Sequence, residues 1–350
     1  MRVSIEVGHP AHVHYWRPVY KALLAEGHDV AVFARGKETT FALLRALRIP
    51  FIPVGRNFPT VAGKAVGMAY NTLDVLRESR RLHIQLMLSG GMPYSAQASA
   101  ILGVPHLAII DTENAALTLS VTIPFTDVVC TPACFRKSFK NTVHVRFDGY
   151  VESMYLRPEY FTLSTGIREE LGLRPGQPFS VVRFSSWDSS HDLFRVRTGL
   201  ETSAGKDLLI RSLAKHGPVF ASSEVPLPSS LLKSVREIPL DNVHSLLHYA
   251  SVYCGEGAKM AAEAGFLGTP WIYVSPIGRS YLDEQENRFA LGRSTSSLED
   301  AINQAEAWLG DPNLKEKWLG RRRQLLDETS DVTLFVMQQI HHLMGGLSEF

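Results

Sequence analysis

The stretch "CGEGAKMAAEAGFLGTP", Cys254–Pro270, decides how the chain is read. An apolar strand ends at Cys254, and Gly255 and Gly257 permit a tight turn with close backbone approach. "EGAKMAAEAGFLG" (256–268) is rich in helix formers and holds no proline. Gly268, Thr269 and Pro270 then lead into a second apolar run, "PWIYVS" (270–275). Strand, glycine turn, helix and strand make the crossover unit of a parallel sheet. The N–H groups at the start of such a helix form an anion site. Glu263, six residues after Gly257, falls near the second turn, where a carboxylate can accept hydrogen bonds from ribose hydroxyls. On spacing alone, an ordinary glycine-capped turn accounts for the same residues.

The alternation continues in both directions. "RVSIEV" (2–7), "HDVAVFA" (28–34), "IPFIPV" (49–54), "IQLMLS" (84–89) and "PHLAII" (105–110) read as strands, as do "DVVCT" and "VHVRF". Helices are expected at 15–27, 37–48, 61–82 and 93–102. Residues 149–178 contain no strong strand, and their Pro and Gly mark a connection. The pattern restarts with "FSVVRFS" (179–185), a helix near 203–215, "PVFAS" (218–222) and a helix over 241–250. The last 50 residues read as helical. The fold class expected is α/β, with two doubly wound Rossmann-type domains facing a central cleft. They divide as 1–157 and 158–330, with a helix at about 331–346 packing back on the first. Ligands of such sheets bind at the carboxyl ends of the strands.

Composition narrows the function classes. Lys and Arg total 36 against 35 Asp and Glu, so the formal net charge of +1 excludes the basic surface of a nucleic-acid binder. Arg321, Arg322 and Arg323 sit in a mixed-charge helical stretch and read as a solvated face. Three cysteines in 350 residues argue for a reducing compartment. No metal site is expected, since Cys130 and Cys134 lack zinc spacing. No signal-peptide pattern or membrane-spanning run appears, which predicts a cytoplasmic protein, with room for peripheral association at the inner face of the membrane.

Several loops carry chemistry-bearing side chains. "GHPAHVHYWRPV" (8–19) follows the first strand and holds His9, His12 and His14. Metal binding, catalysis and a plain structural loop all fit, although Pro10 and the helix start splay the three rings. A histidine at a helix N-terminus has its pKa lowered by the dipole, which suits a general base. "RFSSWDSSHD" (183–192) offers Arg183, Ser185 and Ser186 for a diphosphate, Trp187 for stacking, and His191. "SGGMP" (89–93) with Gly90 and Gly91, "DTENA" (111–115) with Asp111 and Glu113, and "YLDEQE" (281–286) with Glu284 and Gln285 all follow strands.

"GEGAKMAAEAGFLGTP" resembles the donor-nucleotide motif of GT-B glycosyltransferases and of the non-hydrolysing UDP-N-acetylglucosamine 2-epimerases. "GHPAHVHYWRPV", "DTE", "RFSSWDSSHD" and "YLDEQE", taken with it in this order, are similar to the prokaryotic family called domain of unknown function 354. The resemblance implies a glycosyltransferase that moves a sugar from a nucleotide donor, a UDP-sugar first, to a glycan or lipid-linked acceptor, in surface polysaccharide or glycoconjugate synthesis. No permanent cofactor is implied. Arg183, Ser185, Ser186, Trp187, His191, Gly255, Glu256, Gly257, Lys259, Met260 and Glu263 would bind the donor. Gly8, His9, His14, Gly90, Gly91, Glu284 and Gln285 would contact substrate. His12 matches the histidine that begins a helix in the peptidoglycan GlcNAc transferase, and would be the base, with Asp111 or Glu113 orienting it. The chain departs from the GT-B pattern at Glu256 and Lys259, where Gly and Ser or Thr are usual. A 2-epimerase-like isomerase is the alternative. It needs a carboxylate at each of two loops; Asp111 and Glu113 match one, and Ser89-Gly90-Gly91 lacks the other. A sugar-nucleotide-binding protein without catalysis is a second alternative.

Overall fold

The computed structural model describes all residues except 37–38, 57, 59–60, 186–197, 225–226, 228, 240–241 and 348–350. The chain divides into two compact units, Met1–Tyr160 with Thr329–Phe350, and Phe161–Glu328. The first holds a seven-stranded sheet: β1 Arg2–Val7, β2 Asp29–Ala34, β3 Ile52–Pro53, β4 Leu86–Ser89, β5 His106–Ile109, β6 Val128–Pro132 and β7 Val143–Phe147, in the order β3-β2-β1-β4-β5-β6-β7. The second holds six strands: β8 Ser180–Phe184, β9 Val219–Ser223, β10 Arg236–Glu237, β11 Val252–Gly255, β12 Trp271–Val274 and β13 Gly292–Thr295, in the order β10-β9-β8-β11-β12-β13. Neighbouring strands in both sheets pair in parallel. In each sheet the order reverses beside the first strand, between β1 and β4 and between β8 and β11. Such switch points open a crevice at the carboxyl ends of the strands.

Central strands are apolar because helices cover both faces of a parallel sheet. Leu86–Ser89 and Trp271–Val274 are buried throughout. The edge strands β10, "RE", and β13, "GRST", carry no apolar run, which is why sequence periodicity passes over them.

The first helix corrects an expectation. It runs Pro10–Ala25 rather than from residue 15. His9 is its N-cap, with extended backbone, and its Nδ1 accepts a hydrogen bond from Ala11 N–H at 3.1 Å. Pro10 occupies the first turn, where its missing N–H costs nothing. His12 and His14 therefore stand on a helix, not in a loop.

The solvated-face reading of the basic run is corrected at Arg321 and Arg322, while Arg323 is exposed. The helix Leu314–Glu328 lays a row of donors over the C-terminal ends of three other helices. Arg322 Nε donates to Phe266 O at 3.0 Å, Arg321 Nη1 to Ala290 O at 2.7 Å, and Trp318 Nε1 to Leu291 O at 2.7 Å. Lys315 Nζ reaches His248 O, Gly268 O and Thr269 Oγ1. Thr269 itself donates to Leu247 O at 2.7 Å. The spacing 315, 318, 322 keeps these donors on one helix face. They satisfy carbonyls that a helix end leaves without partners. The "Gly-Thr-Pro" end of the motif is thus a structural joint. Lys315→Met should cost ~1–3 kcal/mol, the penalty for stranding buried acceptors. A denaturant midpoint equal to that of the native protein would refute this role.

Candidate functional site

In the first unit, residues far apart in sequence meet at the switch point. Gly8 follows β1 and Gly90 follows β4. His12 lies on the first turns of the helix above them, and its Nδ1 accepts a long hydrogen bond from Gly8 N–H at 3.4 Å. A neutral ring in this contact carries its proton on Nε2, so its basic lone pair is that of Nδ1, held by the long Gly8 contact. The rings of His9 and His12 are 6.0 Å apart, and those of His12 and Tyr15 5.3 Å. Gly90 is required here. A Cβ at this position would stand 1.9 Å from Tyr15 Oη, 2.7 Å from His12 Cε1 and 2.9 Å from His12 Nδ1.

A buried relay shapes the Gly90 turn. Thr126 Oγ1 donates to Thr122 O at 3.0 Å, so it accepts from His106 Nδ1–H, also at 3.0 Å. His106 Nε2 is then an acceptor and takes the Ser89 hydroxyl proton at 3.0 Å. Ser89 Oγ in turn accepts Met92 N–H at 3.1 Å, closing the turn over Gly90 and Gly91. His106 is fully buried, and burial pulls its pKa down to about 3, so the ring stays neutral across the working range. Ser89 and His106 form a structural pair, with neither side chain reaching solvent.

The three histidines do not act as one group. His14 is two residues beyond His12, turned about 200° round the helix. It stacks on Tyr155, with centroids 5.8 Å apart. Among the described residues, no set of three His, Cys, Asp or Glu is arranged to hold a metal ion. Glu113 is buried and accepts Arg136 N–H at 3.0 Å, while Lys137 Nζ holds its carbonyl at 2.8 Å. Its carboxylate thus serves the segment after β6. Asp111 is half-buried and accepts from Thr112 Oγ1 at 3.1 Å.

In the second unit, Gly255 and Gly257 lie against Arg183 near the end of β8. A Cβ on Gly255 would stand 2.3 Å from Arg183 O, and one on Gly257 2.8 Å from Arg183 Cγ. The buried Glu256, which departs from the GT-B pattern, acts locally. Its Oε2 accepts Ser185 N–H at 3.1 Å, tying the two switch-point loops together. The Tyr253 hydroxyl accepts Gly257 N–H at 3.2 Å and donates to Gly257 O at 2.9 Å. Burial raises the Tyr253 pKa well above its usual value, so the phenol is neutral. The helix Ala258–Phe266 has no side-chain cap, and Lys259 and Met260 lie half-buried on its first turn. This uncapped start is suited to an anion. Arg183 donates to Ser222 Oγ at 3.2 Å and pairs with Glu224 at 3.0 Å.

Glu263 is buried, with Oε1 3.4 Å from His244 Nε2. Gln285 is also buried. Its Oε1 accepts from Trp271 Nε1 at 3.1 Å and its Nε2 donates to Ala262 O at 3.4 Å, so its amide braces the sheet instead of meeting a sugar. Glu284 pairs with Arg288 at 3.4 Å. Ser186, Trp187 and His191 lie outside the described residues.

No family model matches this chain, and no curated protein does either. Solved structures do match. The spinosyn forosaminyltransferase SpnP is similar at 16% identity, over 98% of this chain and 99% of that one, with a TM-score of 0.65. SsfS6 of Streptomyces sp. SF2575, a glycosyltransferase complexed with thymidine diphosphate, is similar at 16% identity over 97% and 99%, with a TM-score of 0.60. A putative UDP-N-acetylglucosamine 2-epimerase from Listeria monocytogenes shares 11% identity over 97% and 95%, with a TM-score of 0.66. The chain has the GT-B fold.

Within this GT-B chain, sequence reasoning missed Tyr15, His106 and Tyr253. Tyr15 follows His12 by three residues, a spacing that places both on one helix face. His106 and Tyr253 read as strand interior, where only the tertiary partner reveals a polar role.

Proposed function

We propose that the protein is a GT-B glycosyltransferase that moves a sugar from a nucleotide donor, a UDP-sugar first, to an acceptor hydroxyl. The observation that carries this reading is the meeting of His12 with the Gly90 turn at the carboxyl ends of β1 and β4. His12 takes the proton of the acceptor hydroxyl as its oxygen attacks the sugar's anomeric carbon. The bond to the diphosphate breaks, and the nucleoside diphosphate leaves with the electron pair. In this reading the uncapped start of Ala258–Phe266, with Lys259, receives the leaving phosphate's charge. Gly255, Gly257 and Ser185 shape the loop beneath it, and Glu263 meets the ribose. Asp111 orients the acceptor side. Work on a glycan or lipid-linked acceptor in the cytoplasm, at the inner membrane face, fits the sequence likeness to domain of unknown function 354. Among the described residues no helix is long and apolar enough to cross a membrane.

The isomerase alternative shares the fold but requires two acid–base groups. Ser89-Gly90-Gly91 supplies no carboxylate. The Glu113 carboxylate accepts a backbone N–H. Incubation with nucleotide sugars in deuterated water separates the two. A transferase releases nucleoside diphosphate in step with added acceptor and leaves the sugar C2 proton in place. Deuterium at C2 without acceptor would establish the isomerase instead.

A further inference from the structure

Arg35 directly follows β2, and its N–H bonds to Val7 O at 3.1 Å, which sets it beside the end of β1. Its Nη1 donates to Tyr94 Oη at 2.7 Å, and its Cζ lies 5.1 Å from the Tyr94 ring centroid. The guanidinium therefore spans from β2, past β1, to the helix Pro93–Leu102 that follows β4. Its Nη2 lies 3.6 Å from the place a Gly8 Cβ would take. Among the described residues no carboxylate lies within the 4.0 Å of an ion pair with Arg35. Its Nε is buried and has no hydrogen-bond partner.

Glu6 is the nearby acid. It is 1% exposed, and its Oε2 accepts Ser95 N–H at 2.9 Å and Ser95 Oγ–H at 2.5 Å, while Oε1 has no partner. Burial pushes the Glu6 pKa up, against the pull of Ser95 and Arg35. Glu6 and Arg35 attract each other, but without an ion-pair contact. The start of the helix Pro10–Ala25 is occupied too: Ala11 N–H is taken by His9 Nδ1 and His12 N–H by His9 O. Among the described residues beside Gly8 the cation is Arg35, and the edge formed by Nε and Nη2 matches two oxygens of one anionic group.

We infer that the Nε–Nη2 edge of Arg35 seats an anionic group, a carboxylate or a phosphate, carried by the sugar acceptor. This rests on the reading of the first unit as the acceptor half. Gly8 lies near both partners: its N–H meets His12 Nδ1, and the Met92 thioether packs on its Cα with Arg35 Nη2 just beyond. The anion and the reacting hydroxyl would flank this glycine, which makes Arg35 a specificity-determining residue for acidic acceptors.

The test is the nitrogen-15 NMR signal of the Arg35 Nε–H in the full-length protein, assigned by its loss in Arg35→Lys. Methyl phosphate and acetate are titrated separately, with excess uridine diphosphate present to occupy a donor site. At least one anion should shift the signal saturably, and calorimetry of that anion should show it about tenfold or more weaker in Arg35→Lys, because an ammonium lacks the fork. A response to methyl phosphate alone assigns a phosphorylated acceptor; a response to acetate alone assigns a carboxylate. A signal unmoved by both anions would overturn the inference. A calorimetric affinity in Arg35→Gln equal to that of the native protein would overturn it as well, because the anion would then sit elsewhere. The signal requires no sugar transfer, so its failure is separable from failure of the glycosyltransferase reading.

Discussion

His12→Ala should lower the rate of sugar transfer by ~10²–10⁴-fold, the usual loss when a general base is removed. Donor affinity should stay nearly unchanged, because the nucleotide is assigned to the second unit. The ring is half-buried at a switch point, next to a glycine turn that leaves it room. A merely structural His12 predicts the opposite pairing: a lower melting temperature, with full turnover in the protein that remains folded. Both quantities are therefore read on one preparation. Full turnover in a well-folded His12→Ala protein would remove the base from the proposal.

Gly90→Ala should cost ~10²-fold in turnover, the scale of a reacting group displaced by about 1 Å. The added methyl would stand 1.9 Å from Tyr15 Oη and 2.7 Å from His12 Cε1, so both rings must move. Tyr15 is 5% exposed, and its neighbours leave it little freedom to retreat. His12, nearer the surface, yields first. The double variant Gly90→Ala with Tyr15→Phe removes the closest clash and should recover part of the rate. A Gly90→Ala enzyme as fast as the native one would show that the His12 ring position does not limit the reaction. A rate loss that Tyr15→Phe leaves untouched would place the damage in the turn itself.

Much of the fold was legible in the sequence because its signals are local. Short apolar runs separated by amphipathic segments specify buried parallel strands and crossover helices, and each can be read from a window of a dozen residues. Gly255 and Gly257 likewise mark a turn through their own lack of a side chain. The two edge strands of the second sheet, β10 and β13, escaped because they carry no apolar run. The start of the first helix escaped because His9 is an unusual cap, and its histidine capping bond is not part of the Ser/Thr/Asp/Asn pattern.

The site was legible as a set of residue types at strand ends, and much less as a set of partners. Sequence alone placed His12, Gly90 and the Gly257 turn at the carboxyl ends of strands, since strand-to-helix loops in a parallel sheet must lie there. Which of them meet depends on strand order, and β1 joins β4 across a long intervening stretch that holds β2 and β3. Tertiary structure alone decided that Glu256 holds Ser185, that Gln285 braces Trp271, and that Arg321 and Arg322 cap helices. A polar side chain buried in a core must find a hydrogen-bond partner, and that partner is chosen by packing, not by sequence neighbours. His12, Glu256 and Arg35 are alike polar residues after strands. Only the packed chain sets one beside a glycine turn, ties another to a backbone N–H, and leaves the third with an unpartnered Nε.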